Sequence, residues 1–262
     1  MLLIIVLQIS ACEEVIQKPI QSANTDLLVV EAILTNEKTN HLIKLSKTFP
    51  NQNGSAAPVS GAVLTIRDID SVYTASEFPV GSGRYYTETM RAVFGRKYTL
   101  SIQYQSKQFT AEDNSVPVEP LPSLPYERKG DQYGLLLTER GRDPNYVDYA
   151  ISWNKTPSCV SGASCEGRIV FYDLKTLDVN NIYKPKKADF TFPLNSVVVR
   201  RKYSVSPAYQ SFLRSVLSET EWRGGVFDVQ RANAATNLSE GAIGFFAVST
   251  VVSDTTLIVE KP

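Results

Sequence analysis

Histidine is nearly absent from this chain: His41 is the only one among 262 residues. Without a second histidine, mechanisms that rest on an imidazole base have little to draw on. Cysteine is almost as scarce, at three. A zinc site needs about four ligands, and His41 lies far along the chain from the Cys159 and Cys165 pair. Neither sign of charge is in excess, with 27 Lys and Arg against 27 Asp and Glu. This balance argues against general nucleic-acid binding, which depends on a dense cationic face. No hydrophobic run after the first eleven residues is long enough to cross a bilayer, which takes roughly 20 apolar residues. No Gly-x-Ser-x-Gly elbow, His-Glu-x-x-His pair, Walker loop or Gly-x-Gly-x-x-Gly fingerprint is found. The chain predicts no catalytic site, no cofactor and no metal, and hence a non-enzymatic role.

The start of the chain is more specific. Met1 to Ala11 is uncharged, and all of it except Gln8 is apolar or small. It is too short to span a membrane but has the length of a signal-peptide core followed by small residues. Residues 1–11 are therefore expected to be a signal peptide. No Lys or Arg precedes the apolar run, so the gene start is expected upstream. Ile9-Ser10-Ala11-Cys12 resembles the bacterial lipobox, in which the cysteine receives lipid. Cys12 is the expected lipidation site and new N-terminus. Each buried CH₂ of an acyl chain contributes about 0.8 kcal/mol, and stable anchoring takes more than one chain. Residues 12–24 are polar and without periodicity, and read as a lipidated tether. The twelve residues Glu13 to Asn24 extend at most roughly 40 Å.

From Asp26 the pattern alternates with period two. Tyr98, Leu100 and Ile102 alternate with Thr99, Ser101 and Gln103, and Leu64 and Ile66 with Thr65 and Arg67. Asn51-Gln-Asn-Gly54, Gly81-Ser-Gly83 and Gly95 supply turns. Residues 25–116 are predicted to form an antiparallel β-sandwich of immunoglobulin-like or transthyretin-like type. Pro117, Pro120, Pro122 and Pro125 make 117–125 a stiff linker; an edge segment within one domain is the alternative. Residues 126–262 read as a second β-rich domain with one amphipathic helix near 207–222. There Ser206 caps, Pro207 starts, and Tyr209, Phe212, Leu213, Val216 and Leu217 form the apolar stripe. Ala242 to Val251 and Thr255 to Val259 read as its final pair of core strands.

Cys159 and Cys165, separated by Gly and small residues, read as a local disulfide in an exported protein, with free thiols as the alternative. His41 reads as a partly exposed structural residue. Asp68 and Asp70 sit at a predicted strand end. In principle such a pair serves glycoside hydrolysis, but it is more often solvated charge or a weak calcium site. The 13 tyrosines first signal strand packing.

Several stretches in order resemble the DUF4249 outer-membrane lipoproteins of Bacteroidetes. They are Leu28-Val-Val-Glu-Ala-Ile-Leu-Thr35, His41 to Thr48, Pro58 to Ile66, Gly83-Arg-Tyr85 and Gly95 to Leu100. Phe227, Asn233, Asn237 and Gly241 to Ser249 continue the likeness, which thus covers nearly the whole mature chain. The resemblance implies an outer-membrane, surface-facing lipoprotein that works beside a TonB-dependent transporter in nutrient uptake. A structural or adhesive surface protein is the alternative. Glu13-Glu14 after Cys12 resembles the export signal of such lipoproteins. Asp70-Ser71-Val72 and Asp254-Thr255-Thr256 resemble that phylum's O-glycosylation sequon, which makes Ser71 and Thr255 candidate acceptors.

Overall fold

The computed structural model describes residues 26–49, 55–138, 141–160, 162, 164–183, 189–225 and 234–260. The chain is mainly β. Its first seven strands are β1 (Leu28–Thr35), β2 (Leu42–Lys47), β3 (Val63–Arg67), β4 (Val72–Glu77), β5 (Arg84–Thr87), β6 (Lys97–Tyr104) and β7 (Lys107–Asn114). Next come β8 (Tyr126–Lys129), β9 (Gln132–Leu135), β10 (Asn145–Ser152), β11 (Glu166–Asp173), the short helix α1 (Val179–Ile182) and β12 (Thr191–Phe192). The chain closes with β13 (Val197–Ser204), α2 (Pro207–Glu219), β14 (Ala242–Ser249) and β15 (Val251–Leu257).

The first sheet has eight strands in the order β14-β1-β2-β5-β4-β3-β6-β7. Alternation builds its core: Tyr98, Leu100 and Ile102 of β6 point inward with Val30, Leu45, Leu64 and Phe246. The sheet curls until its two edge strands, β7 and β14, approach each other. Residues 236–239 fill the gap. Ser239 donates its amide to the Thr110 carbonyl at 2.8 Å, and Leu238 bridges Ala111. Asn237 completes the seam. Its Nδ2 donates to the carbonyls of Glu112 (2.9 Å) and Phe246 (2.8 Å), while its Oδ1 accepts from the Phe246 amide at 3.1 Å. A side-chain amide here takes the part of a missing strand's peptide group. The sandwich expected for 25–116 thus takes the form of one near-closed sheet whose opposed walls share a core.

The strands of 25–116 pair antiparallel throughout, as expected. One strand from outside that range joins them: β14 pairs with β1 in parallel, Leu28 opposite Ala242 through Thr35 opposite Ser249. A parallel neighbour requires a long crossover, and here everything between β1 and β14 provides it. One expectation needs correction: the strands of 242–251 and 255–259 are not a pair within the second domain. β14 closes the first sheet, whereas β15 pairs with β13. Strand pairing therefore runs across the boundary expected at 117–125. Inward Phe246 and Val248 join the first core, and outward Phe245 and Ala247 pack under α2. A strand buried on both faces reads as an unbroken hydrophobic run, which is how 242–249 appears in the sequence.

The four-stranded sheet β11-β10-β13-β15 and the three-stranded sheet β12-β9-β8 make the rest. Helix α2 begins at Ser206, whose hydroxyl accepts from the Tyr209 amide at 3.1 Å, and Pro207 sits in its first turn. The helix ends at Glu219, three residues short of the expected 222, although Trp222 remains buried. Its stripe meets the sheets through Tyr209 and Phe212, which stack on Phe245 at 5.0 and 5.1 Å. Tyr146 stacks on Tyr203 at 4.6 Å beside them. Burial pushes the Tyr146 and Tyr209 phenols far above their usual range.

Candidate functional site

Strand direction sorts the turns of the first sheet into two ends. At one end lie the start of β1, the end of β2, the β4–β5 turn and the β6–β7 turn. The described chain enters there: Leu27 donates its amide to the Thr48 hydroxyl and accepts from the Thr48 amide at 3.1 Å. At the opposite end lie the β3–β4 turn, the segment before β6, and the junction with the second sheet at Ser249-Thr250-Val251. Entry and junction are thus a strand length apart.

The far end carries an open cleft of about 380 Å³ lined by Asp68, Ile69, Arg96, Lys97 and Glu112. Ile69 and Phe94 stand exposed beside it. Asp68 is buried, not at an exposed strand end as expected. Its Oδ1 accepts from the amides of Asp70 (2.9 Å) and Ser71 (2.7 Å), and Arg96 Nη1 bonds its Oδ2 at 3.0 Å. Burial alone would raise the Asp68 carboxyl, but these donors outweigh it and hold the pKa below the usual value. Arg96 also reaches Asp70 at 2.6 Å. An arginine thus bridges the two carboxylates. The pair is a structural clamp that shapes the cleft floor.

A second charged cluster lies under the Pro-rich segment, and the sequence offered no sign of it. Arg200 is only 2% exposed in the middle of β13. Its Nε donates to Asp254 Oδ1 at 2.8 Å and its Nη2 to the Pro122 carbonyl at 2.7 Å. Lys202, one step along the same face, lies 3.9 Å from Glu119. Residues 117–125, expected as a linker, are therefore held against the sheet by buried cations. Only a small cavity of about 40 Å³ is left beneath them. The covering segment is what buries Arg200 and Lys202 on this face of β13.

The remaining singled-out residues fall in separate places. Cys159 and Cys165 are at bonding distance, with Cα atoms 5.6 Å apart, in the loop between β10 and β11. Thr255 is exposed on the face of the four-stranded sheet opposite the Pro-rich segment, and Ser71 is half-buried above Asp68. His41, expected to be partly exposed, is buried at 4% because the Thr39–Met90 bridge closes over its loop. Cys12, Phe227 and Asn233 lie outside the described residues. Among the described residues, no group of three His, Cys, Asp or Glu side chains could hold a metal ion, and no helix is long and apolar enough to cross a membrane.

Two motif glycines have identifiable reasons. A Cβ on Gly83 would lie 2.4 Å from the Leu45 carbonyl, and one on Gly244 would lie 2.1 Å from that of Val30. Both have positive φ, +66° and +96°, where L residues are strained. Residues 13–255 match the family model described as a domain of unknown function, DUF4249. No curated protein matches the chain.

Proposed function

The chain belongs to the DUF4249 family, and from that premise we propose that it is a surface lipoprotein of the outer membrane, anchored through Cys12, that assists a TonB-dependent transporter in ligand capture. What supports the reading is the separation of the chain's entry from the open cleft at the far end. A body tethered at one end presents Ile69, Phe94 and the Arg96 clamp away from its anchor. Exposed apolar side chains rimmed by charge are the usual composition of a protein contact. Tethering raises the effective concentration of two membrane partners, so modest affinity is enough. Ser71, beside this cleft, and Thr255 are the proposed glycan acceptors.

The test is an affinity pull-down from mildly solubilised outer membranes with the wild-type chain and with Ile69→Asp/Phe94→Asp. A β-barrel transporter enriched with the wild type and lost with the variant is expected. Recovery of the chain alone in several detergents would favour a structural or adhesive surface protein. Cys12→Ala should move the protein from the membrane fraction to the soluble one, and unchanged membrane association would refute the anchor.

A further inference from the structure

The end at which the chain enters carries its own apolar surface. Phe78 is 72% exposed and Val80 86% exposed in the β4–β5 turn, with Val63 and Phe49 exposed at the same end. Most exposed apolar residues stand singly and call for no explanation. These stand on a turn that is held firmly. Glu77 Oε1 accepts from the Gly83 amide at 2.8 Å, and its Oε2 accepts from the Ser60 hydroxyl at 2.6 Å and the Gly61 amide at 3.4 Å. The Phe78 amide bonds the Arg84 carbonyl at 2.8 Å, and the Ser82 amide the Pro79 carbonyl at 3.1 Å. Tyr85, next on the strand, bonds the Val59 carbonyl at 2.9 Å. The network engages the Glu77 carboxylate within the turn and leaves Phe78 and Val80 exposed, while Asp26 at the same end is paired with Lys47. Arg84 and Lys107 are exposed at the same end.

We infer that the Phe78–Val80 turn is a second membrane contact, seated in the interfacial region of the bilayer on the side where the chain enters. The inference rests on the lipid anchor proposed at Cys12. Cys12 lies fourteen positions before Asp26, the first described residue, so the anchored body cannot move far from the surface. The end at which the tether joins is therefore the part of the body that meets lipid most readily. Apolar side chains there enter the acyl boundary while neighbouring Arg and Lys meet anionic headgroups. One lipid anchor lets a body swivel freely. A second, rigid contact fixes its tilt and so directs the far-end cleft away from the membrane.

The experiment uses the acylated full-length chain with Val80→Cys or, as a control, Ile69→Cys, each labelled with an environment-sensitive fluorophore. Cys12 is blocked by lipid and Cys159 and Cys165 by each other, so the introduced thiol is the reactive one. Vesicles are phosphatidylethanolamine and phosphatidylglycerol, with and without brominated acyl chains. The Val80 label should shift to the blue and be quenched by bromine, while the Ile69 label stays as in water. Equal behaviour of the two labels on vesicle-bound protein overturns the inference while leaving the anchor intact. Absence of an acyl mass on the N-terminal peptide is instead a failure of the anchor reading. In the unacylated Cys12→Ala chain, Phe78→Ser/Val80→Ser should weaken partition onto the same vesicles at least about tenfold. An unchanged partition refutes the contact. Shielding of the Val80 label in whole cells but not in protein-free vesicles would assign the turn to a protein partner and overturn the proposal.

Discussion

The Asp113 carboxylate on β7 accepts a hydrogen bond from the Val248 amide on β14 at 2.9 Å, a rung between strands that share no backbone ladder. Burial raises the Asp113 pKa, and the bonds from Ser206, Val248 and Asn114 only partly oppose this. The folded chain therefore holds this proton more tightly than the unfolded one. Its contribution to stability is greatest in acid and falls as pH rises from the unfolded carboxyl value through the raised folded value. Asp113→Asn keeps an acceptor and removes the titration. Its urea midpoint should depend less on pH above the ordinary carboxyl value of 3.8, and once the wild-type carboxyl is ionised it should equal or exceed the wild type. Asp113→Leu leaves the Val248 amide unpaired and should lose about 1–3 kcal/mol. An Asn variant with the wild-type pH slope would refute this role.

Gly244 lets β14 lie against β1. With φ at +96° and the Val30 carbonyl where a Cβ would sit, Gly244→Ala should separate the parallel pair. The strained backbone alone costs about 1–3 kcal/mol, and the lost pairing adds to it. Hydrogen exchange should show early loss of protection on β1 and β14 together. Gly81→Ala has open space around it and should cost only its backbone strain. If the two variants lose stability equally, close strand approach is not the reason for Gly244.

Arg200 holds the Pro-rich segment through one carbonyl and one carboxylate. Arg200→Met should uncouple residues 117–125 from the sheet, read as faster proteolysis or exchange there. Removing one partner of a fully buried pair costs about 3–5 kcal/mol. The Asp254 side chain is 36% exposed, so a loss of about 2–3 kcal/mol is expected after screening. The double change Arg200→Met/Asp254→Leu should recover part of it. Unaltered exchange in 117–125 would show that packing of Leu124, and not Arg200, retains the segment.

Local pattern announced the elements and missed their partners. Alternation at Tyr98 to Ile102 and the stripe from Tyr209 to Leu217 follow from burial of one face, which the neighbouring residues themselves encode. The pairing of β14 with β1 joins positions more than 200 residues apart, and no period records it. The two-sided burial of 242–249 was legible as a hydrophobic run, but the same run fits a core strand of either unit. The burial of Arg200 and of His41 is illegible in the sequence for a shared reason. Both depend on a covering segment, Pro122 in one case and the loop at Thr39 to Met90 in the other, that is remote in sequence. Asn237 showed itself only through a family likeness, and its physical reason, closing the β7–β14 seam, needed the fold. The exposed turn at Phe78 and Val80 gave no periodic signal because a turn has none.

The Cys159–Cys165 bond closes a short loop, and its entropic contribution is correspondingly small. Cys159→Ser/Cys165→Ser should reduce stability by about 2 kcal/mol on the chain-entropy view. The loop hangs on the second sheet through the Trp153 amide, which donates to the Cys165 carbonyl at 2.9 Å. The loss should therefore be confined to β10 and β11 in exchange measurements. Non-reducing peptide mapping should recover residues 159 and 165 in one cross-linked fragment. Alkylation of both thiols before any reductant is added would remove the assignment.

His41 allows the cleanest test of burial, because a chain with one histidine gives one set of imidazole resonances. Desolvation lowers its pKa from 6.5, while the Met90 backbone and the charge of Glu37 oppose the shift without cancelling it. Nε2 has no hydrogen-bond partner, so the ring has no acceptor ready for a second proton. The folded chain binds that proton less tightly than the unfolded one. The sign is therefore opposite to that of Asp113: stability is complete above 6.5 and is lost as pH falls through that value towards the lowered folded pKa. A titration followed by NMR should give a midpoint below 6.5. His41→Phe should remove the acid-side loss that belongs to this ring, leaving the opposing slope of Asp113 more visible. A midpoint at or above 6.5 would mean that the ring is solvated, and that the bridge from Thr39 to Met90 does not stay closed over it.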